Sequence, residues 1–152
     1  MNDGDIALDY VPNRRPAIPA CGARTYDTTR RIEHVMSEAD RNALIDAYFD
    51  AMDAEDLELV RSALADGFVY ESFAGDLEGV AGLETYMEEL RGLSNTTHDV
   101  TLRVHDEAAS VAEGTVTGES EDGYTEAEFC NVFEFDADSE RISRIGVYLN
   151  DA

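Results

Sequence analysis

Apolar positions recur every third or fourth residue between Ala43 and Leu59. Leu44, Tyr48, Ala51 and Met52 form one stripe, Ile45 and Phe49 widen it, and Asp46, Asp50 and Asp53 face the other way. This spacing predicts a long amphipathic helix from Ser37 to about Asp53, with Ser37 as its N-cap and Asp40 three residues on. Asp53-Ala54-Glu55-Asp56 breaks the pattern, and a second, shorter helix is expected from Asp56 to about Ala65, ended by Asp66-Gly67. Residues 68–73 alternate and read as a short strand, and Gly75, Gly79 and Gly82 punctuate a loop. Helical spacing returns over 80–93, with Leu83, Tyr86, Met87 and Leu90 on one side.

Long strands follow. Residues 97–105 set His98, Val100, Leu102 and Val104 against Asp99, Thr101, Arg103 and His105. Residues 108–118 are small and rich in Val and Thr, and Glu121-Asp122-Gly123 supplies a turn. Residues 124–135 place Phe129, Asn131, Phe133 and Phe135 on one face and Glu128, Cys130, Val132 and Glu134 on the other; residues 142–149 form the last strand. One apolar helical stripe needs a covering layer, and the strands are long enough to supply it. The expected class is α+β: three N-terminal helices packed on a strongly bent, mainly antiparallel sheet.

Charge changes this picture most. Asp plus Glu number 34 against 11 basic residues, all arginine, for a net charge of -23 over 152 residues. Such self-repulsion destabilises a compact domain in dilute salt. Near 1 M salt the Debye length is only ~3 Å, and exposed carboxylates barely sense one another. Because the acid is spread along the chain, the composition points to a cell with a salt-rich cytoplasm; an acidic interaction surface is the alternative. Residues 1–35 stand apart. They hold all three prolines and are neutral, with five acids and five arginines, so the remaining residues carry 29 acids against six arginines. A disordered arm is expected there. The run Met36-Ser37-Glu38 reads like a protein start, which makes 1–35 upstream sequence and 36–152 the domain; a functional arm covering a pocket or a neighbouring subunit is the alternative.

Two cysteines, Cys21 and Cys130, make neither a disulfide framework nor a metal spacing, and the three histidines are scattered. No cofactor or metal is expected. A basic patch for phosphate and a membrane-length apolar run are both missing from the sequence, so neither nucleic acid nor a membrane is an expected partner. A reducing cytoplasm is the expected compartment.

The segments YFDAMDAEDLE, YES, GVAGLETYMEEL, EGTVTGES, FCNVFEF and ERISRIGVYL, in that order over 39–150, resemble the SnoaL-like group of the nuclear-transport-factor-2-like cone fold. Ketosteroid isomerase, polyketide cyclases and epoxide hydrolases share that architecture. The resemblance places Tyr48 where isomerase-like members carry an oxyanion-donating tyrosine. It places Ser72, after Glu71, where their general base is an aspartate, and Asn131 where a protonated aspartate donates. Asparagine keeps a donor without pKa tuning, whereas serine cannot act as the base alone. Cyclase-like members use a histidine late in the third strand, where this chain has Thr117-Gly118-Glu119. The epoxide-hydrolase arrangement needs an Asp-Arg-Asp cluster, and Arg103, taken as the one sheet arginine available, alternates away from Val100 and Val104.

The expected ligand contacts are Tyr48, Tyr70, Ser72, Phe129, Asn131 and Tyr148. Asn131 either binds a ligand or makes a structural bond to Tyr48 or a neighbouring strand. His98 is the histidine placed to shuttle a proton inside a cavity. Glu71 becomes a base only if a bulge turns it inward, and His105 points outward. The functional expectation is a module binding a small, mostly apolar or carbonyl-bearing molecule in the cone. The alternatives are a diverged isomerase, cyclase or hydratase, and an interaction domain with a filled cavity. A homodimer through the outer sheet face, with Cys130 and Val132 in its apolar part, is expected from the resemblance.

Overall fold

The computed structural model describes residues 35–150. The reading of 1–35 as an arm therefore falls, but for Val35, outside the described residues. Helix α1 spans Glu38–Ala54, and Ser37 caps it by accepting from the Asp40 N–H at 3.1 Å. Its last turn closes on Glu55, which takes the left-handed conformation at φ 53°. Helix α2, Glu58–Arg61, is a single turn. The expected extension to Ala65 fails because strand β1 begins at Leu64 and runs to Ser72. Asp66-Gly67 is a bulge within that strand, Gly67 sitting at φ +77°, rather than a helix end. The predicted glycine loop is also ordered differently. Gly75–Glu78 is strand β2, hairpinned on β1, and helix α3 (Gly79–Thr85) follows at once, continuing into a π-type turn over Tyr86–Leu90.

Strands β3 (Ser94–His105), β4 (Ala109–Ser120), β5 (Gly123–Asp136) and β6 (Arg141–Asn150) form an antiparallel meander. The six-stranded sheet has the order β2-β1-β6-β5-β4-β3, mixed because β1 pairs parallel to β6. The α+β class and the helices-then-sheet plan are as the hydrophobic pattern predicts. Ile45, Tyr48, Phe49 and Met52 of α1 join Phe68 and Tyr70 of β1, Phe129 and Phe133 of β5, and Ile145 of β6 in one core.

A bulge in β3 decides which side chains meet α1. Val100 pairs with Gly114 and Leu102 with Glu113, so Thr101 is an extra residue on β3. The close approach there requires glycine, since a Cβ on Gly114 would lie 1.9 Å from the Asp99 carbonyl oxygen. Past the bulge the alternation inverts. Leu102 and Val104 are about half exposed, at 48% and 50%. Arg103 turns to α1, donating to Asn42 Oδ1 at 3.1 Å and pairing with Asp46. His105 is partly buried, with Nδ1 2.8 Å from Ser110 Oγ. The expected outward direction of Arg103 and His105 is thus overturned, because strict period-two counting cannot see an inserted residue. Arg103 is also not alone in the sheet: Arg141 and Arg144 lie on β6.

Candidate functional site

Helix α1 and the inner face of the sheet enclose a cavity of about 470 Å³. Its walls are largely apolar, with Met52, Val116, Ala127, Phe129, Val147 and Leu149 among them; besides the Ser120–Thr125 hydroxyls of the β4–β5 end, its polar groups gather in two places.

The first is a run of hydroxyls ending in an amide. Tyr48 projects from α1 and Tyr70 from β1, and their hydroxyls lie 3.0 Å apart. Tyr86 packs on Tyr70 with ring centroids 4.7 Å apart, and its hydroxyl acts on the Tyr70 end. Burial pushes the Tyr48 phenol up, an effect opposed by the Tyr70 hydroxyl and by the nearby Asn131 amide. Burial likewise raises Tyr70 and Tyr86, so all three are neutral donors at ordinary pH. Asn131, 2% exposed, leaves its Oδ1 without a partner among the described residues. A buried amide oxygen in that state is an acceptor waiting for a donor.

The second is an imidazole–carboxylate pair. Phe49 and Phe129 hold the His98 ring at centroid distances of 5.1 Å and 5.3 Å. Asp53, in the last turn of α1, places Oδ1 2.5 Å from His98 Nδ1, while Oδ2 accepts from the His98 backbone N–H at 2.9 Å. Pairing at Nδ1 sets the tautomer with Nδ1 protonated and leaves Nε2 as the basic nitrogen of a ring that lines the cavity. Burial lowers the His98 pKa below its ordinary value; Asp53 opposes that shift and Arg91 adds to it. Arg91 lines the cavity as well, donating to the Met52 carbonyl at 2.9 Å and to Thr96 Oγ1.

Of the residues singled out in the sequence, Tyr48, Tyr70, Phe129, Asn131 and His98 line this cavity together. Three do not. Glu71 stays on the opposite face because the β1–β2 register runs without a break through Val69, Tyr70 and Glu71; its carboxylate pairs with Arg144. Ser72 is spent in the hairpin turn, its Oγ accepting from the Ala74 N–H at 3.2 Å. Tyr148 is 53% exposed on the outer face opposite Cys130, and its neighbours Val147 and Leu149 point inward instead. Asp53, Thr96 and Arg91 were missed. Asp53 shares the i, i+7 stripe with Asp46, which reads as solvated until β3 is seen to lie along it. Among the described residues no group of three or more His, Cys, Asp or Glu is placed to hold a metal, and no helix is long and apolar enough to cross a membrane.

A cone of helices and bent sheet around a cavity with an apolar wall and a few convergent polar groups defines a nuclear-transport-factor-2-like protein. The sequence matches the SnoaL-like domain over residues 45–145, and the chain belongs to that family. No curated protein matches it. Among solved structures it is similar to an LEH-like epoxide hydrolase of M. tuberculosis, at 24% identity and a TM-score of 0.60, covering 74% of this chain and 84% of that one. It is similar to an NTF2-like protein of unknown function from Burkholderia pseudomallei K96243, at 15% identity and a TM-score of 0.66, covering 76% and 92%. It is also similar to AusH from Aspergillus nidulans, at 16% identity and a TM-score of 0.63, covering 76% and 87%. At these identities the likeness is one of fold, and chemistry must be argued from the site.

Proposed function

We propose that the chain takes a small, mostly apolar, carbonyl-bearing molecule into the cone and moves a proton on it. The observation that carries this reading is His98, held by Asp53 with its tautomer set, lining the same cavity as Tyr48 and Asn131. A cavity of about 470 Å³ lies within the ~300–1,000 Å³ of small-molecule sites. It is open rather than packed with side chains, which speaks against the interaction-domain alternative.

The step is a carbon-acid transfer. His98 Nε2 takes a proton from the carbon beside the carbonyl, the C–H electron pair moves into the carbonyl π system, and charge develops on oxygen. Tyr48 and Asn131 meet that oxygen. An amide carries both a donor and an acceptor, so Asn131 suits the carbonyl through Nδ2 and the enol O–H through Oδ1. The base therefore comes from β3, where the family's isomerase-like members use the end of β1, a position that is Ser72 here and lies outside the cavity. A neutral imidazole with a pKa below its ordinary value is free to accept the proton at neutral pH.

The test has two stages. Protein purified in concentrated salt is examined by native mass spectrometry for a co-purified ligand. A panel of small cyclic and linear ketones is then followed in D2O for deuterium uptake beside the carbonyl. Wild type is expected to accelerate uptake for at least one ketone, and His98→Gln to lose about 100-fold or more of that rate. Equal rates in the two proteins refute the assignment. A tightly bound ligand with no exchange returns the protein to the binding-module reading, which the lack of a carboxylate at Ser72 and Asn131 favours.

A further inference from the structure

Behind the His98–Asp53 pair lies a second set of groups that the transfer step does not use. Thr96, 4% exposed, stands two residues before His98 on β3. Its Oγ1 lies 2.9 Å from Asp53 Oδ1 and accepts from Arg91. Arg91 spans from Thr96 to the Met52 carbonyl, which ties the start of β3 to the last turn of α1. Asp53 therefore receives three donors: Thr96 Oγ1, the His98 backbone N–H and His98 Nδ1.

We propose that Thr96 and Arg91 are positioning residues of the His98 base: they hold the Asp53 carboxylate in line with Nδ1 while drawing on its negative charge, so that it orients the imidazole without protonating it. A carboxylate bonded only to an imidazole stabilises the imidazolium and raises its pKa. A protonated His98 has no lone pair at Nε2 and takes no proton from a ligand. A hydroxyl donor on the same oxygen, itself held by a guanidinium, spreads the carboxylate charge over several partners and weakens its hold on the ring proton. The charged groups acting on His98 are Asp53 from α1 and Arg91 from the segment before β3; the other surfaces it meets are Phe49 of α1, Phe129 of β5 and, by strand register, Val116 of β4. Arg91 acts in the same sense as burial, toward the neutral ring.

This rests on the reading of His98 as the base, and its test needs no substrate. The full chain, labelled with nitrogen-15 at histidine, is titrated by NMR in concentrated KCl, and His98→Gln assigns the His98 signals. Wild type is expected to show His98 protonated at Nδ1 and neutral at neutral pH. Thr96→Val, close to isosteric, removes a donor from Asp53 and is expected to raise the His98 pKa by about half a unit to one unit, with Thr96→Ser restoring the wild-type value. Arg91→Gln removes the cation and is expected to raise it as well. A merely structural role predicts loosened packing and ring disorder, not an upward shift rescued by serine. An unchanged or lowered His98 pKa in both Thr96→Val and Arg91→Gln overturns the proposal. If the shifts appear but no ketone exchanges deuterium, the positioning network stands and the proposed reaction falls.

Discussion

Replacing Arg41 by methionine tests how the helix is pinned to the sheet edge beside the cavity. Arg41 is 6% exposed and has no carboxylate partner among the described residues. Its guanidinium fans across the β3–β4 connection, donating to the carbonyls of Asp106, Ala109 (3.3 Å) and Glu107 (3.1 Å) and to Ser110 Oγ (3.2 Å). It also stands 5.0 Å from the centroid of the Phe135 ring. Methionine keeps the stem and its packing and removes the charge with all four bonds. Hydrogen bonds from a charged donor contribute ~1.5–3 kcal/mol each, yet the Asp106 and Glu107 carbonyls belong to exposed residues that water can reach. Removing a buried cation also recovers desolvation cost, more so because its Nε has no partner among the described residues. The net expectation is a loss of roughly 2–3 kcal/mol, or about 10 °C in Tm. Arg41→Lys should lose nearly as much, since three ammonium donors on one nitrogen cannot span four acceptors at this spread. Thermal unfolding in constant high salt measures both. A methionine variant as stable as wild type would show that the fan contributes nothing beyond the cost of burying it.

Three further outcomes are expected. Because burial holds the folded His98 pKa below its unfolded value of about 6.5, its contribution to stability is present above that pH and lost as pH falls through the folded value. Chemical denaturation across mildly acidic pH should show that slope in wild type and a shallower one in His98→Gln; identical slopes refute the assignment. With a net charge of -23, Tm should climb steadily between 0.1 M and about 1 M KCl, and a flat or falling curve removes the salt-adaptation reading. Once a ligand is identified, Asn131→Leu should weaken binding by about tenfold or more, while Ser72→Ala and Tyr148→Phe leave it unchanged by calorimetry, as their places outside the cavity require.

Much of the plan was legible because burial writes a period into the chain. The α1 stripe through Tyr48, Phe49 and Met52 and the aromatic face of β5 through Phe129 and Phe133 both hold in the structure. The errors at Arg103 and His105 share one physical origin. Period counting carries side-chain direction along a strand only until a residue is inserted, and Thr101 inverted Arg103 and His105 at a cost invisible in composition. The glycine that permits the insertion, Gly114, sits on the neighbouring strand, so the signal for a β3 error lay in β4. Tyr148 failed for a different reason. Its place near the closing edge of the sheet does not fix its direction, and the pairing of Asn131 with Val147 puts Val147, not Tyr148, on the inner face.

The same long-range logic explains why half of the candidate site could not be read locally. Asp46 and Asp53 are one stripe on α1, and an isolated helix offers no reason to treat them differently from Asp50. Once β3 lies alongside, Asp46 meets Arg103 and Asp53 meets His98 and Thr96, whereas Asp50 stays exposed. In a chain whose surface is saturated with carboxylates, an acid paired with a cavity-lining imidazole is hidden among acids that only keep the protein hydrated. The feature that separates them is where the donors come from: exposed Asp136 takes its donors from Asp138 and Ser139 in its own turn, whereas those of Asp53 come from another element. Asp53 takes three from β3, a hydroxyl, a backbone amide and an imidazole, a long-range set that costs ordering to build. Donors that reach a carboxylate from a distant strand, rather than from its own turn, therefore set Asp53 apart from the surface acids of this chain.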